Sequence, residues 1–205
     1  MFDAILYINL AHRTDRNTHI QAEIAKLSPN PDTVHRIDAI KHDLGIVGCS
    51  LSHIKALEYA LEHPEWDTVL VLEDDFTFHS NNSDEICKSI KNLIHHDASY
   101  DACLLSYNHV CVTYGPSTKK SNIVRIKRSQ TTSSYIITRK YIPTLLENFK
   151  EGAMLISSEH KIEYYIDLYW QKLQRKGKWY STNPALGYQY DGFSDIEQQH
   201  VVYKC

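Results

Sequence analysis

Apolar positions along the chain alternate between two rhythms. AILYINL (4–10) is a continuous apolar run of strand length, read as a buried strand. After it, Thr14 or Asp15 is placed to cap a helix that carries Ile20, Ile24 and Leu27 on one face. Ser28-Pro29-Asn30-Pro31 ends that helix, and VHRIDAI (34–40) follows as a second short strand. Val47, Leu51, Ile54, Leu57 and Leu61 recur at helical spacing up to His63-Pro64. TVLVLED (68–74), β-branched and leucine-rich, is the clearest strand signal. Ser83 is the expected cap of the next helix, with Asp84 and Glu85 in its first turn and Ile86, Ile90, Leu93 and Ile94 on one face. DACLLSY (101–107), HVCVTY (109–114), NIVRIKR (122–128) and SSYIITR (133–139) read as strands or hairpins, and a helix is expected from Tyr141 to Phe149 with Pro143 in its first turn. Ser158 is the expected start of a longer helix through Lys176, with Ile162, Ile166, Tyr169 and Leu173 inward and Gly177 as the stop. The tail from Trp179 to Cys205 is aromatic and polar without clear period.

Strands alternating with helices, then antiparallel-looking strands, predict an α/β sandwich with a mixed, mainly parallel central sheet flanked by helices. At 205 residues, with no linker, repeat or low-complexity tract, the chain reads as one domain, 1–205. A net charge of −3 without a basic stripe argues against a nucleic-acid partner. MFDAILYINL lacks a positive n-region and is too short an apolar run for a signal peptide or transmembrane segment, so a cytoplasmic location is expected. Five cysteines, widely spaced and without a CxxC pair, fit reduced buried thiols better than a disulfide framework or zinc site.

In such sheets the ligand crevice lies at the carboxyl ends of the parallel strands, where VLVLEDDFTF (69–78) delivers Glu73, Asp74 and Asp75. By strand alternation Glu73 and Asp75 point one way and Asp74 the other. Carboxylates that close repel unless a cation lies between them, and oxygen-only ligands suit Mg2+ or Mn2+ completed by water and a diphosphate. An acid-x-acid triplet alone is common and also fits a strand simply ending in solvent. Two further segments add context. INLAHRTDRN (8–17) ends a strand at Asn9 and feeds Arg13, Asp15 and Arg16 into a helix start, an arrangement suited to phosphate contacts. GCSLSHIKAL (48–57) has Gly48, which permits close approach, and Ser52 and His53 at the entrance of an apolar helix.

Together these pieces resemble glycosyltransferase family 25, which includes lipooligosaccharide and procollagen galactosyltransferases. INLAHRTDR, GCSLSH, VLVLEDD, SSYIITRK, YIDLYW and NPALGYQYDGFSDIE occur in the family's order. The resemblance implies a GT-A-like domain that inverts the anomeric centre, takes UDP-galactose or UDP-glucose as donor, and needs Mn2+ or Mg2+. It places Asp75 as direct metal ligand with Glu73, and Asn9, Arg13, Arg16, Ser52, His53 and Asp74 around the nucleotide-sugar. Asp167 of YIDLYW matches an aspartate facing the acceptor, and a base there suits removal of the acceptor hydroxyl's proton. Gln189 stands where collagen-modifying members carry a histidine near the metal, which makes it a weaker third ligand with His200 close by in sequence. Ser194 and Asp195 are expected to close over the diphosphate. The implied acceptor is a glycan or hydroxylysine in a collagen-like protein. Tyr169, Trp170, Trp179, Tyr188 and Tyr190 are candidate sugar-stacking platforms. A metal-dependent phosphohydrolase and a catalytically inactive sugar-nucleotide or glycan-binding module are the competing readings.

Overall fold

The computed structural model describes residues 1–113, 122–194 and 199–201. Its elements in chain order are β1 (Ala4–Asn9), α1 (Thr14–Ala25), β2 (Val34–Asp38), α2 (Gly45–Leu61), β3 (Thr68–Glu73), β4 (Phe76–Phe78), α3 (Ser83–Ile94), β5 (Ala102–Leu104), β6 (Asn108–Thr113), β7 (Ile123–Gln130), β8 (Ser134–Thr138), α4 (Ile142–Glu159), α5 (Ile166–Tyr169), α6 (Gln171–Lys176), β9 (Trp179–Thr182), β10 (Gly187–Gln189), β11 (Gly192–Ser194) and β12 (Gln199–Val201). An eight-stranded sheet runs in the order β2-β1-β3-β8-β5-β9-β7-β6. Following the pairings across it, β7 and β8 run against the other six strands, so the sheet is mixed and mainly parallel in direction. β10 pairs with β4, and β11 with β12, in two small ribbons.

The continuous apolar runs of β1 and β3 are explained by burial on both faces. In β1, Ala4, Leu6 and Ile8 join one core with Ile54 and Leu57 of α2 and Leu145 and Phe149 of α4. Ile5 and Tyr7 join the other with Ile20 and Ile24 of α1 and Ile86, Ile90 and Leu93 of α3. Each fully buried aliphatic side chain contributes about 1.5–3 kcal/mol, so a strand apolar on both sides is held firmly between the two helix layers. That firmness fixes the carboxyl ends of β1, β2 and β3, where Asn9 lies opposite Asp38 and Ile8 opposite Glu73.

Several local expectations are corrected. Asn82, not Ser83, caps α3, accepting from the Glu85 N–H at 3.2 Å. Arg13 precedes α1 with no side-chain cap bond, so neither Thr14 nor Asp15 caps it. α4 continues to Glu159, and Ser158 bonds back to the Met154 and Leu155 carbonyls inside its last turn instead of opening a new helix. His160 ends it in the left-handed conformation at φ 53°, and the predicted long helix is broken into a 3-10 turn, α5 and α6. Ile162 is consequently 65% exposed and belongs to no inward stripe. Cys49, Cys87, Cys103 and Cys111 are free thiols, but the expected burial is corrected: Cys103 is buried, Cys49 and Cys87 are partly buried, and Cys111 is exposed on the edge strand β6; Cys205 lies outside the described residues. Among the described residues no helix is long and apolar enough to cross a membrane.

Candidate active site

A cavity of about 330 Å3 opens at the carboxyl ends of the three parallel strands. It is lined by the loops after β1 and β2, the first turns of α2 and the acids after β3. β3 ends at Glu73, whose N–H still donates to the Ser133 carbonyl at 2.8 Å, and the chain then turns through Asp74 and Asp75 into β4. Phe76 and Phe78 are buried on the far side of the turn, and the Tyr190 N–H donates to the Asp75 carbonyl at 2.7 Å. The acids are therefore mounted on backbone clamped at both ends.

The turn overrides strand alternation, so the expected split of Glu73 and Asp75 from Asp74 does not hold. Asp74 and Asp75 instead converge on one guanidinium: Arg16 Nη1 lies 3.0 Å from Asp74 Oδ1 and 3.2 Å from Asp75 Oδ2. Glu73 turns to α2, its Oε1 accepting from Thr132 Oγ1 at 2.7 Å and lying 3.0 Å from His53 Nε2. His53 Nδ1 is 3.1 Å from the Tyr135 hydroxyl. Burial pushes Tyr135 far above the ordinary phenol range, which keeps it a proton donor to Nδ1 and leaves Nε2–H for Glu73.

Burial raises both Glu73 and Asp75, but the His53 and Thr132 bonds outweigh it for Glu73 and hold it below its usual range. Asp75, buried and beside the Glu73 charge, is pushed up to about 8. Asp74 is also raised, first by burial, against the pull of Arg16 and Asn9. Among the described residues, Asp75 Oδ1 is buried with no hydrogen-bond partner. A carboxylate oxygen orphaned beside two more acids, with Arg16 as the nearby counter-charge, fits a hard divalent cation.

Asn9 is 1% exposed; its amide donates to Asp74 Oδ2 at 2.7 Å and to the Arg13 carbonyl at 3.1 Å, and its Oδ1 accepts from Arg36. It is thus a bracket for Asp74. The two arginines separate: Arg16 lines the cavity, whereas Arg13 forks onto Asp15 with bonds of 3.0 and 3.1 Å. Ser52 donates to the Gly48 carbonyl at 2.6 Å and accepts from the Ile40 N–H at 2.8 Å, tying the loop after β2 to α2. Gly48 is required there because a Cβ would stand 2.5 Å from the Ile40 carbonyl oxygen. Gly48→Ala is expected to cost about 1–3 kcal/mol by forcing this loop away, read as a lowered denaturation midpoint with donor affinity lost alongside.

Asp167, in the first turn of α5, is half-buried. Its Oδ2 accepts from the Thr131 N–H at 3.3 Å, and burial, followed by the Glu73 charge, raises its carboxyl. Thr131 also donates through Oγ1 to Gln189 Oε1. The Thr131-Thr132 turn therefore touches Glu73, Asp167 and Gln189, and Thr131 adopts φ 74°, strained for a β-branched residue. Gln189 lines the cavity, but Arg13 and Asp167 do not. Ser194 ends β11, and Asp195 lies outside the described residues. Trp170 and Trp179 are fully buried and form core rather than sugar platforms, whereas Tyr190 is 52% exposed.

Sequence reasoning missed His12, Lys41, His42 and Cys49 on the cavity wall. The crevice rule applied to β3 would have nominated the first three had it been applied equally to the loops after β1 and β2. A family model described as "Glycosyltransferase family 25 (LPS biosynthesis protein)" matches residues 43–167, from the start of the α2 loop through the acids to Asp167. The chain belongs to glycosyltransferase family 25. The protein is accordingly a glycosyltransferase, and Gly48, Cys49, Ser52, His53, Glu73, Asp74 and Asp75 of its cavity all fall within the matched span. A search of curated proteins finds no match. Among solved structures, the transferase resembles a glycosyltransferase involved in glycosylation of the major capsid of PBCV-1, at 13% identity and TM-score 0.57, covering 95% of each chain. It also resembles mannose-1-phosphate geranyltransferase from Thermus thermophilus, at 9% identity and TM-score 0.51 over 91% of this chain and 73% of that one. These likenesses are of fold.

Proposed function

We propose that residues 1–205 act as one GT-A-like glycosyltransferase domain that moves galactose or glucose from a UDP-sugar, with inversion, to a hydroxyl of a glycan or of hydroxylysine in a collagen-like protein. The observation that carries this reading is the convergence of Asp74 and Asp75 on Arg16 at one end of the cavity that Glu73 also lines, with Asp75 Oδ1 lacking a hydrogen-bond partner among the described residues. Asp75, helped by Glu73, would hold Mn2+ or Mg2+, which supplies neutralisation of charge on the departing diphosphate. Arg16 adds a fixed positive charge beside the same acids. Asn9 and Ser52 keep Asp74 and the loop after β2 in place, so the cavity is preorganised before donor arrives. Asp167 accepts the proton of the attacking hydroxyl; its raised proton affinity suits a base. The capsid-glycosylating neighbour gives a precedent for an acceptor carried on protein.

The test is UDP release and sugar transfer over a panel of UDP-sugars with Mn2+, with and without chelator. One UDP-hexose is expected to turn over, with activity lost on chelation and restored by Mn2+. Release of free sugar without transfer would favour a phosphohydrolase. Failure to turn over any UDP-sugar would favour a binding module, and turnover indifferent to chelator would remove the metal from the mechanism.

A further inference from the structure

Cys49 and His53 are four residues apart on α2 and share one face of that helix. Glu73 meets them from the end of β3. Cys49 Sγ, a ring nitrogen of His53 and a carboxylate oxygen of Glu73 all lie within 4.8 Å of one another, and all three residues line the cavity. The other ring nitrogen of His53 is backed by the buried Tyr135 hydroxyl at 3.1 Å, and Glu73 is braced by Thr132. Backing of this kind fixes the tautomer and ring direction of a metal-ligating histidine.

We propose that Cys49, His53 and Glu73 form a site for a thiophilic divalent ion, Zn2+ in preference to Mn2+ or Mg2+, whose occupancy inhibits transfer by taking Glu73 from the acidic centre. A thiolate and an imidazole select zinc over hard ions that prefer all-oxygen shells. Three protein ligands leave a fourth tetrahedral position. Binding releases the thiol proton and moves the His53 proton to Nδ1, where it donates to the Tyr135 oxygen. The binding itself stands without the donor assignment; only the inhibitory consequence rests on it.

Co2+ titrated into the metal-free full chain is expected to give a near-ultraviolet thiolate-to-cobalt band saturating at one equivalent and displaced by Zn2+. Cys49→Ala, checked for folding by circular dichroism, should remove the band. Tyr135→Phe should keep it and weaken binding about 10-fold. A zinc-edge anomalous map of wild-type crystals grown with Zn2+ needs no variant and should place the ion against Cys49 Sγ. No thiolate band on folded wild type, an equal band in Cys49→Ala, or zinc peaks only elsewhere would each overturn the proposal. A zinc peak at Cys49 without inhibition would retain the site and remove its regulatory role.

Discussion

Asp75→Asn is expected to abolish transfer, with kcat/KM down by at least about 10^3-fold, while making the metal-free protein more stable at neutral and alkaline pH. The loss follows from removing the carboxylate proposed to hold the ion, whose charge stabilisation is worth several kcal/mol, or about a thousandfold in rate. The gain follows from electrostatics. Asp75 has its proton affinity raised from the ordinary 3.8 to about 8 by burial and then by the Glu73 charge. Below the lower value the side chain is protonated in both folded and unfolded chains. Between the two values the unfolded chain loses the proton and the folded chain keeps it, so stability falls as pH rises through this window. Asparagine is neutral throughout and removes that slope. Thermal denaturation with chelator from pH 4 to 8 should therefore show a declining wild-type midpoint and a flatter variant. Added Mn2+ should raise the wild-type midpoint and leave the variant unmoved. Equal pH slopes would refute the assignment of strain to Asp75, and retained transfer would refute its catalytic part.

The same residues mark what was legible in the sequence. The apolar runs of β1 and β3 and the helical spacing of α2 and α3 announce the three-layer fold because burial on two faces leaves an unambiguous pattern. The chemistry was legible where type and position agreed, as in acids at a strand end. What escaped was set by turns. No periodicity announces that residues 74 and 75 leave the strand and bring both carboxylates to Arg16. Nothing in QTTSS signals the left-handed Thr131 that joins Asp167 to Gln189. The long helix expected from Ser158 failed for a local reason: serine's hydroxyl serves equally as an N-cap or as a back-bonding group in a last turn, and here it does the second.

Asp167→Asn is expected to lower kcat by about 10^2–10^4-fold with little change in donor KM, the range associated with loss of a positioned general base. The substitution is chosen because it separates chemistry from architecture. Asp167 Oδ2 accepts from the Thr131 N–H, and an asparagine oxygen can go on accepting that bond, so the Thr131-Thr132 turn and its grip on Glu73 should persist. If Asp167 served only to hold the turn, Asn would be nearly silent and Ala alone damaging. The pH profile gives a second reading. A base works when deprotonated, and burial together with the Glu73 charge raises this carboxyl above the ordinary aspartate range. Wild-type kcat should therefore rise with pH across an acid limb displaced upward, and the Asn variant should lose that limb while keeping any limb that belongs to the acids at the end of β3. Activity within a few-fold of wild type, or an unchanged acid limb, would return Asp167 to a structural role and move the search for the base to the other residues around the Thr131 turn.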